Sequence, residues 1–204
     1  LQSQELTRGW QLYEHGLRTP AASKQRWQRA LRKPFSATAL PIWRGECLEG
    51  KRLLLLEEQA IGDVMMFLTL LPTLIAEAKK VELMLSERLV PIYRRTLGES
   101  VKIWTHADAV EKRLKPENFD YQSPLGSICQ HRFTQLKSYA PRVPMLLVKE
   151  SRRDQLRRDY LKVDAKPADR LIGISWKGGG TAGRIRAKSI SPDEFSQLLQ
   201  PIPF

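Results

Sequence analysis

Four consecutive leucines, Leu53 to Leu56, stand between Lys51-Arg52 and Glu57-Glu58. An apolar run this short, closed by charge at both ends, fits a strand buried on both faces, the kind that parallel sheets contain. Behind it Val64, Phe67, Leu68, Leu71 and Ile75 recur at three- and four-residue spacing. They predict a helix with one stripe toward the sheet and a kink at Pro72. Gly62 is placed to make the turn out of the strand, and Asp63 falls at the helix N-cap. Strand, turn and helix start together form the place where open α/β proteins hold ligands, although an N-cap aspartate is by itself an ordinary structural feature.

The rest of the chain repeats the alternation. Lys80 to Leu85 reads as an alternating second strand, Arg88 to Leu97 as a helix ended by Gly98, and Val101 to Trp104 as a third strand. Phe119 to Ile128 reads as a strand end followed by Ser-Pro at a helix start, since proline is accepted in a first helical turn. Crossovers of this length imply parallel pairing and an α/β, Rossmann-like sheet. Val143 to Val148 is either irregular or a short edge strand. Ser151 to Leu161 reads as an exposed helix, and Asp164 to Asp169 as a linker.

Two further segments flank this core. Leu6, Trp10, Tyr13 and Leu17 define a helix, and residues 22–33 a second, basic one carrying Trp27 and Leu31. The pair is either the tail of a helical repeat array or an extension that packs on the main domain. Near the other end, Leu171 to Trp176 reads as an apolar strand followed by Lys177-Gly178-Gly179-Gly180-Thr181. Such glycines let backbone N–H groups approach a phosphate, and Lys177, Arg184, Arg186 and Lys188 supply neutralising charge. A triple glycine fits a plain connector equally well. Pro192-Asp193-Glu194-Phe195 then opens a helix.

The run Glu58-Gln59-Ala60-Ile61-Gly62-Asp63-Val64, with Phe67 and Leu71-Pro72 after it, resembles the first strand-to-helix motif of bacterial glycosyltransferases of the heptosyltransferase type, glycosyltransferase family nine. It is similar also to related transferases fused behind tetratricopeptide repeats. In those, a Trp-x-Gly-Glu-x-Leu-x-Gly-Lys segment precedes the strand, matched here by Trp43, Gly45, Glu46, Leu48, Gly50 and Lys51. The resemblance implies a GT-B fold with a helical extension at 1–42, a Rossmann-like acceptor-side lobe at 43–164, and a linker with the start of a donor-side lobe at 165–204. It implies Asp63 as general base and an acceptor-side loop set of Gln59, Gly62, Asp120, Pro124 and Ser127. Donor phosphates would fall to Lys177, Gly178, Gly179, Gly180, Thr181, Arg184 and Lys188, across an interlobe cleft. Ala60 replaces a usual glycine and Thr69 a common arginine, which removes one acceptor or phosphate contact. The resemblance also places most of the nucleotide-holding lobe beyond residue 204, so the 204-residue chain is expected to transfer no sugar alone.

Charge narrows the partners without choosing among them. Lys and Arg number 34 against 22 Asp and Glu, a formal net charge of +12 that favours anionic partners. The expected ones are a nucleotide-sugar donor, a protein or glycan acceptor, and an anionic membrane surface. No specific nucleic acid is expected, because no DNA- or RNA-binding signature is present. A lipopolysaccharide heptosyltransferase and a non-catalytic basic module that stacks bases on Trp10, Trp27, Trp43 and Trp104 are the alternatives. No apolar run approaches the ~20 residues of a membrane span, and Cys47 and Cys129 read as two reduced thiols, which together give a cytoplasmic expectation. His106 and His131 read as bystanders; no metal site and no cofactor beyond the donor is expected.

Overall fold

The computed structural model of the protein describes residues 5–18, 33–139, 146–161, 175–179 and 182–199. The chain divides into two units, Leu1–Leu147 and Val148–Phe204. The sequence reading set boundaries after 42 and 164; the first unit instead absorbs the described part of the helical extension, and the second begins before the exposed helix.

The first unit is α/β, with four parallel strands in the order β3-β2-β1-β4. These are β1 (Arg52–Leu56), β2 (Lys80–Met84), β3 (Ile103–Trp104) and β4 (Tyr121–Pro124). Every described crossover carries helix: α2 (Ile61–Leu68), α3 (Leu71–Glu77), α4 (Val90–Leu97) and α5 (His106–Val110), with α1 (Leu6–Arg18) before the sheet and α6 (Ile128–Arg132) after it. β1 is central, and Leu53 to Leu56 are all fully buried. Leu53 and Leu55 join a core with Val64, Phe67, Leu68, Leu71 and Leu74. Leu54 and Leu56 face the opposite layer, with Leu40, Met84, Trp104 and Phe119. Each leucine contributes roughly 1.5–3 kcal/mol by leaving water. β2 is likewise buried on both faces from Val81 to Met84, and does not alternate. The polar member, Glu82, is held by Lys80 and by the Trp104 indole N–H, both at 2.5 Å.

Local details depart from the sequence reading. The predicted single helix is two. Thr69 and Leu70 close α2 with short-range bonds to Met66 and Phe67, and Pro72 lies in the first turn of α3. Proline cannot donate to the carbonyl four residues back and its ring would strike it, so the chain restarts there. Ile75 is consequently 41% exposed and does not belong to the stripe. Asp63 is the third helical residue, not the cap; Ala60 holds the cap position. The turn out of β1 is made by Gln59, at φ 62, not by Gly62, which is helical and has open space where a Cβ would go. β3 is shorter than predicted, and Pro124 ends β4 ahead of a 3-10 turn, Leu125–Ser127, instead of opening a helix.

Trp10 of α1 is buried in the first core, its indole N–H donating to the Phe133 carbonyl at 3.1 Å. The helical extension therefore packs on the domain, as far as α1 goes; residues 22–32 lie outside the described residues. In the second unit α7 (Glu150–Tyr160) has no buried residue, as its charge pattern predicts. α8 (Ala182–Ala187) and α9 (Pro192–Leu199) follow. α9 is capped reciprocally: the Glu194 N–H donates to Ser191 Oγ, and the Ser191 N–H to Glu194 Oε2. Residues 171–174 of the predicted strand, Gly180, Thr181 and the linker at 164–169 lie outside the described residues, and 175–179 form no strand. Residues 146–149 are irregular.

Candidate active site at the strand-order reversal

Strands β2 and β3 run outward on one side of β1, and β4 returns to the other, so the strand order reverses between β1 and β4. Outside the carboxyl ends of those two strands an open parallel sheet leaves a crevice. The β1 side supplies Glu57 to Asp63; the β4 side supplies Pro124 to Ser127.

Two adjacent carboxylates leave β1 in opposite directions. Glu57 Oε2 accepts the Ser86 N–H at 2.5 Å, fastening β1 to the segment after β2. Glu58 is 1% exposed and turns the other way: its Oε1 accepts the Gly126 N–H at 2.8 Å and the Tyr13 hydroxyl at 3.2 Å. A Cβ on Gly126 would overlap Glu58 Oε1, and would lie 2.7 Å from Tyr13 and 3.0 Å from Phe67. Only glycine fits. The sequence reading took Glu57-Glu58 as the polar end of a strand and Glu58 as the first residue of the motif, with no role assigned to it. The signal for Glu58 was its place directly after a strand buried on both faces, where an acid has no solvent to return to.

Asp63 is half-buried in the first turn of α2, its Oδ2 accepting the Ala60 N–H at 3.2 Å. That is the backward half of a capping box; alanine has no oxygen for the other half. The carboxylate sits in the positive field of the helix start with one oxygen committed to the backbone. Its helix packs on the 3-10 turn that carries Ser127. Ser127 is buried and donates from Oγ to Glu14 Oε1 of α1 at 2.8 Å.

Beside this turn lies a cavity of about 490 Å³, lined by Glu14, Trp43, Pro124, Ser127, Gln130 and His131 among others. Gln130 Oε1 is buried there with no hydrogen-bond partner among the described residues. Burial holds His131 below the ordinary histidine value, against the opposite pull of Glu14 and Glu46, so it is neutral at pH 7. Its ring meets Trp43 edge-on at 5.2 Å, and the Arg132 guanidinium lies over the same indole while donating to Glu77 at 2.8 Å. Trp43, expected from the motif before the strand, thus forms part of the cavity wall.

Gln59, Asp63, Pro124 and Ser127 therefore share one edge of the sheet, with Gly62 in the helix start. Asp120 does not join them. It precedes β4 and binds Arg52 at the start of β1, with Arg52 Nε to Asp120 Oδ2 at 3.1 Å. At about 3.3 Å per residue it stands roughly 13 Å from Pro124, at the other end of the sheet. The hydrogen bond from Arg52 holds its carboxyl below the usual carboxylate range.

In the second unit Lys177, Gly178 and Lys188 are brought together around a cavity of about 380 Å³, with Trp176 and Phe195. The Gly178 N–H donates to Ser189 Oγ at 2.9 Å, and a Cβ there would come within 2.7 Å of Lys188 Cβ. Gly179 is not part of that lining. Arg184, expected beside the glycine loop, lies on the helix α8. Among the described residues no group of three or more His, Cys, Asp or Glu is placed to hold a metal ion, and no helix is long and apolar enough to cross a membrane. Cys47 is exposed and Cys129 buried, and no disulfide joins the two.

Over 198 residues the chain is 24% identical to Protein FlbA of Caulobacter vibrioides, an alignment covering 90% of this chain and 30% of FlbA. The chain thus spans about a third of that relative's length. No protein-family profile matches the chain, and no solved structure does.

Proposed function

We propose that the first unit is the acceptor-side lobe of an inverting GT-B glycosyltransferase, which moves a sugar from a nucleotide-sugar donor to a hydroxyl of a protein or glycan. The observation that carries this reading is Asp63: a half-exposed carboxylate in the first turn after the central strand, beside the reversal of strand order. In the reaction the acceptor hydroxyl attacks the anomeric carbon as Asp63 takes its proton. The bond from that carbon to the diphosphate oxygen breaks, and the nucleoside diphosphate departs with the electron pair. Lys177, Lys188 and Arg184, with N–H groups of the glycine loop, neutralise the leaving charge, so the step requires no metal. Donors of this kind put the enzyme in the cytoplasm, and its positive charge suits attachment to the inner face of the membrane. A lipopolysaccharide heptosyltransferase is the neighbouring reading, with a heptose donor and a lipopolysaccharide acceptor.

A purely basic binding module has one observation in its favour, a cavity of about 530 Å³ at the opposite end of the sheet lined by Lys80, Arg94 and Lys102. Lys80 is already paired with Glu82, however, and Lys102 lies over the Trp104 ring. Trp10, Trp43 and Trp104 are buried and present no face for stacking. Two measurements separate the readings. A polypeptide joining this chain to a complete nucleotide-binding lobe is assayed for nucleoside diphosphate release from a panel of nucleotide sugars. The chain is also titrated with duplex DNA across a salt series. Acceptor-dependent release with weak DNA binding supports the transferase; tight, salt-steep DNA binding with no release over the whole panel overturns it.

A further inference from the structure

The contacts around Glu58 join three stretches of chain that the sequence keeps far apart: the end of β1, the turn after β4, and α1. Glu58 gives its Oε1 both to the Gly126 N–H and to the Tyr13 hydroxyl, and Gly126 has no room for any side chain there. The next residue of α1 repeats the connection, because Glu14 accepts from Ser127 Oγ. Consecutive residues of one helix thus hold consecutive residues of the turn that forms the β4 wall. On the β1 side, Glu58 directly precedes Gln59, whose left-handed backbone sets where α2 starts and hence where Asp63 points.

We infer that Glu58 is the positioning residue of the crevice, and that α1 is a built-in wall of the site, not an appended module. Glu58 touches no substrate in this account. It fixes the spacing between the segment bearing Asp63 and the turn bearing Ser127, and Tyr13 keeps it aimed. The inference deepens the transferase reading by naming what sets the acceptor-side geometry. A consequence follows for anything attached ahead of α1: it is mechanically joined to the crevice through Tyr13 and Glu14.

The first experiment is independent of any reaction. Amide exchange of the 204-residue chain, read residue by residue by NMR, is compared for wild type, Glu58→Ala, Glu58→Gln and Tyr13→Phe. Glu58→Ala is expected to speed exchange of the Gly126 amide at least about tenfold while leaving Val81 to Leu83 unchanged. Glu58→Gln, whose amide oxygen accepts the same N–H, restores most of the protection. Tyr13→Phe removes one hydroxyl only, keeps the fold, and is expected to speed Gly126 exchange about threefold. Gly126 protection within about twofold of wild type in both Glu58→Ala and Tyr13→Phe overturns the inference. The second experiment uses the polypeptide that carries turnover. Glu58→Ala is expected to lower kcat about tenfold or more with KM for the nucleotide sugar unchanged, and Glu58→Gln to recover it; a rise in KM alone contradicts a positioning role. Absence of turnover in the wild-type protein overturns the transferase reading, and the exchange experiment still decides the role of Glu58.

Discussion

Glu58 and Gly126 show how one buried contact constrains two loops. Gly126→Ala forces a methyl into Glu58, Tyr13 and Phe67 at once. Such overpacking costs about 1–3 kcal/mol, and a urea melt of the variant is expected to show a loss of that order with an unchanged m value. His131 offers a test through pH. Burial lowers its folded value below the unfolded one of about 6.5, so between the two values the unfolded chain binds more protons. Its contribution to stability is complete above the unfolded value and falls as pH drops toward the folded one. His131→Gln is expected to flatten the fall in stability that begins as pH drops below about 6.5, measured by thermal melts. Asp120 obeys the same sign in a lower window. Its folded value is depressed by Arg52, so the Arg52 pair contributes above the unfolded value near 3.9 and is lost as pH falls through the folded one. The stability difference between wild type and Asp120→Asn is expected to be constant above about pH 5 and to shrink below about 4.

At the scale of elements, β1 carries the sheet. Leu55 is fully buried in the central strand, and Leu55→Ala is expected to cost about 2–5 kcal/mol in chemical denaturation, against well under 1 kcal/mol for an alanine at exposed Ile75. This element was legible because four leucines between charges admit few other environments. The parallel order was legible too, since strands and helices alternate at crossover spacing. What stayed hidden depends on contacts between distant segments. No periodicity marks the break at Leu70, which arises from the missing N–H of Pro72. Nothing in residues 59–63 says that Gln59 and not Gly62 takes the left-handed turn, since glycine is the residue that adopts it at least cost. Asp120 was grouped with the crevice by the family resemblance of the segment that also holds Pro124 and Ser127. A strand of four residues carries it to the far end of the sheet. Glu58 was quoted as the first residue of the motif but given no role, because burial of an acid is set by its partners, Tyr13 and Gly126, which lie 45 and 68 positions away.

At the scale of the molecule, an α/β unit with its strand order reversed at β1 and β4 is joined in sequence to a smaller unit that gathers Lys177, Gly178 and Lys188 around a cavity. The first unit brings a carboxylate, a buried serine and a polar cavity to one edge; the second brings cations and a close-packed glycine. In the proposed transfer the first unit would receive a proton and the second a diphosphate. The account stands on Asp63 as the proton acceptor. Steady-state kinetics of Asp63→Asn, in the polypeptide that joins this chain to a complete nucleotide-binding lobe, test it most directly. The account predicts a kcat lower by about 10²–10⁴-fold with the melting temperature and the donor KM held near wild type. A kcat within about threefold of wild type would contradict it.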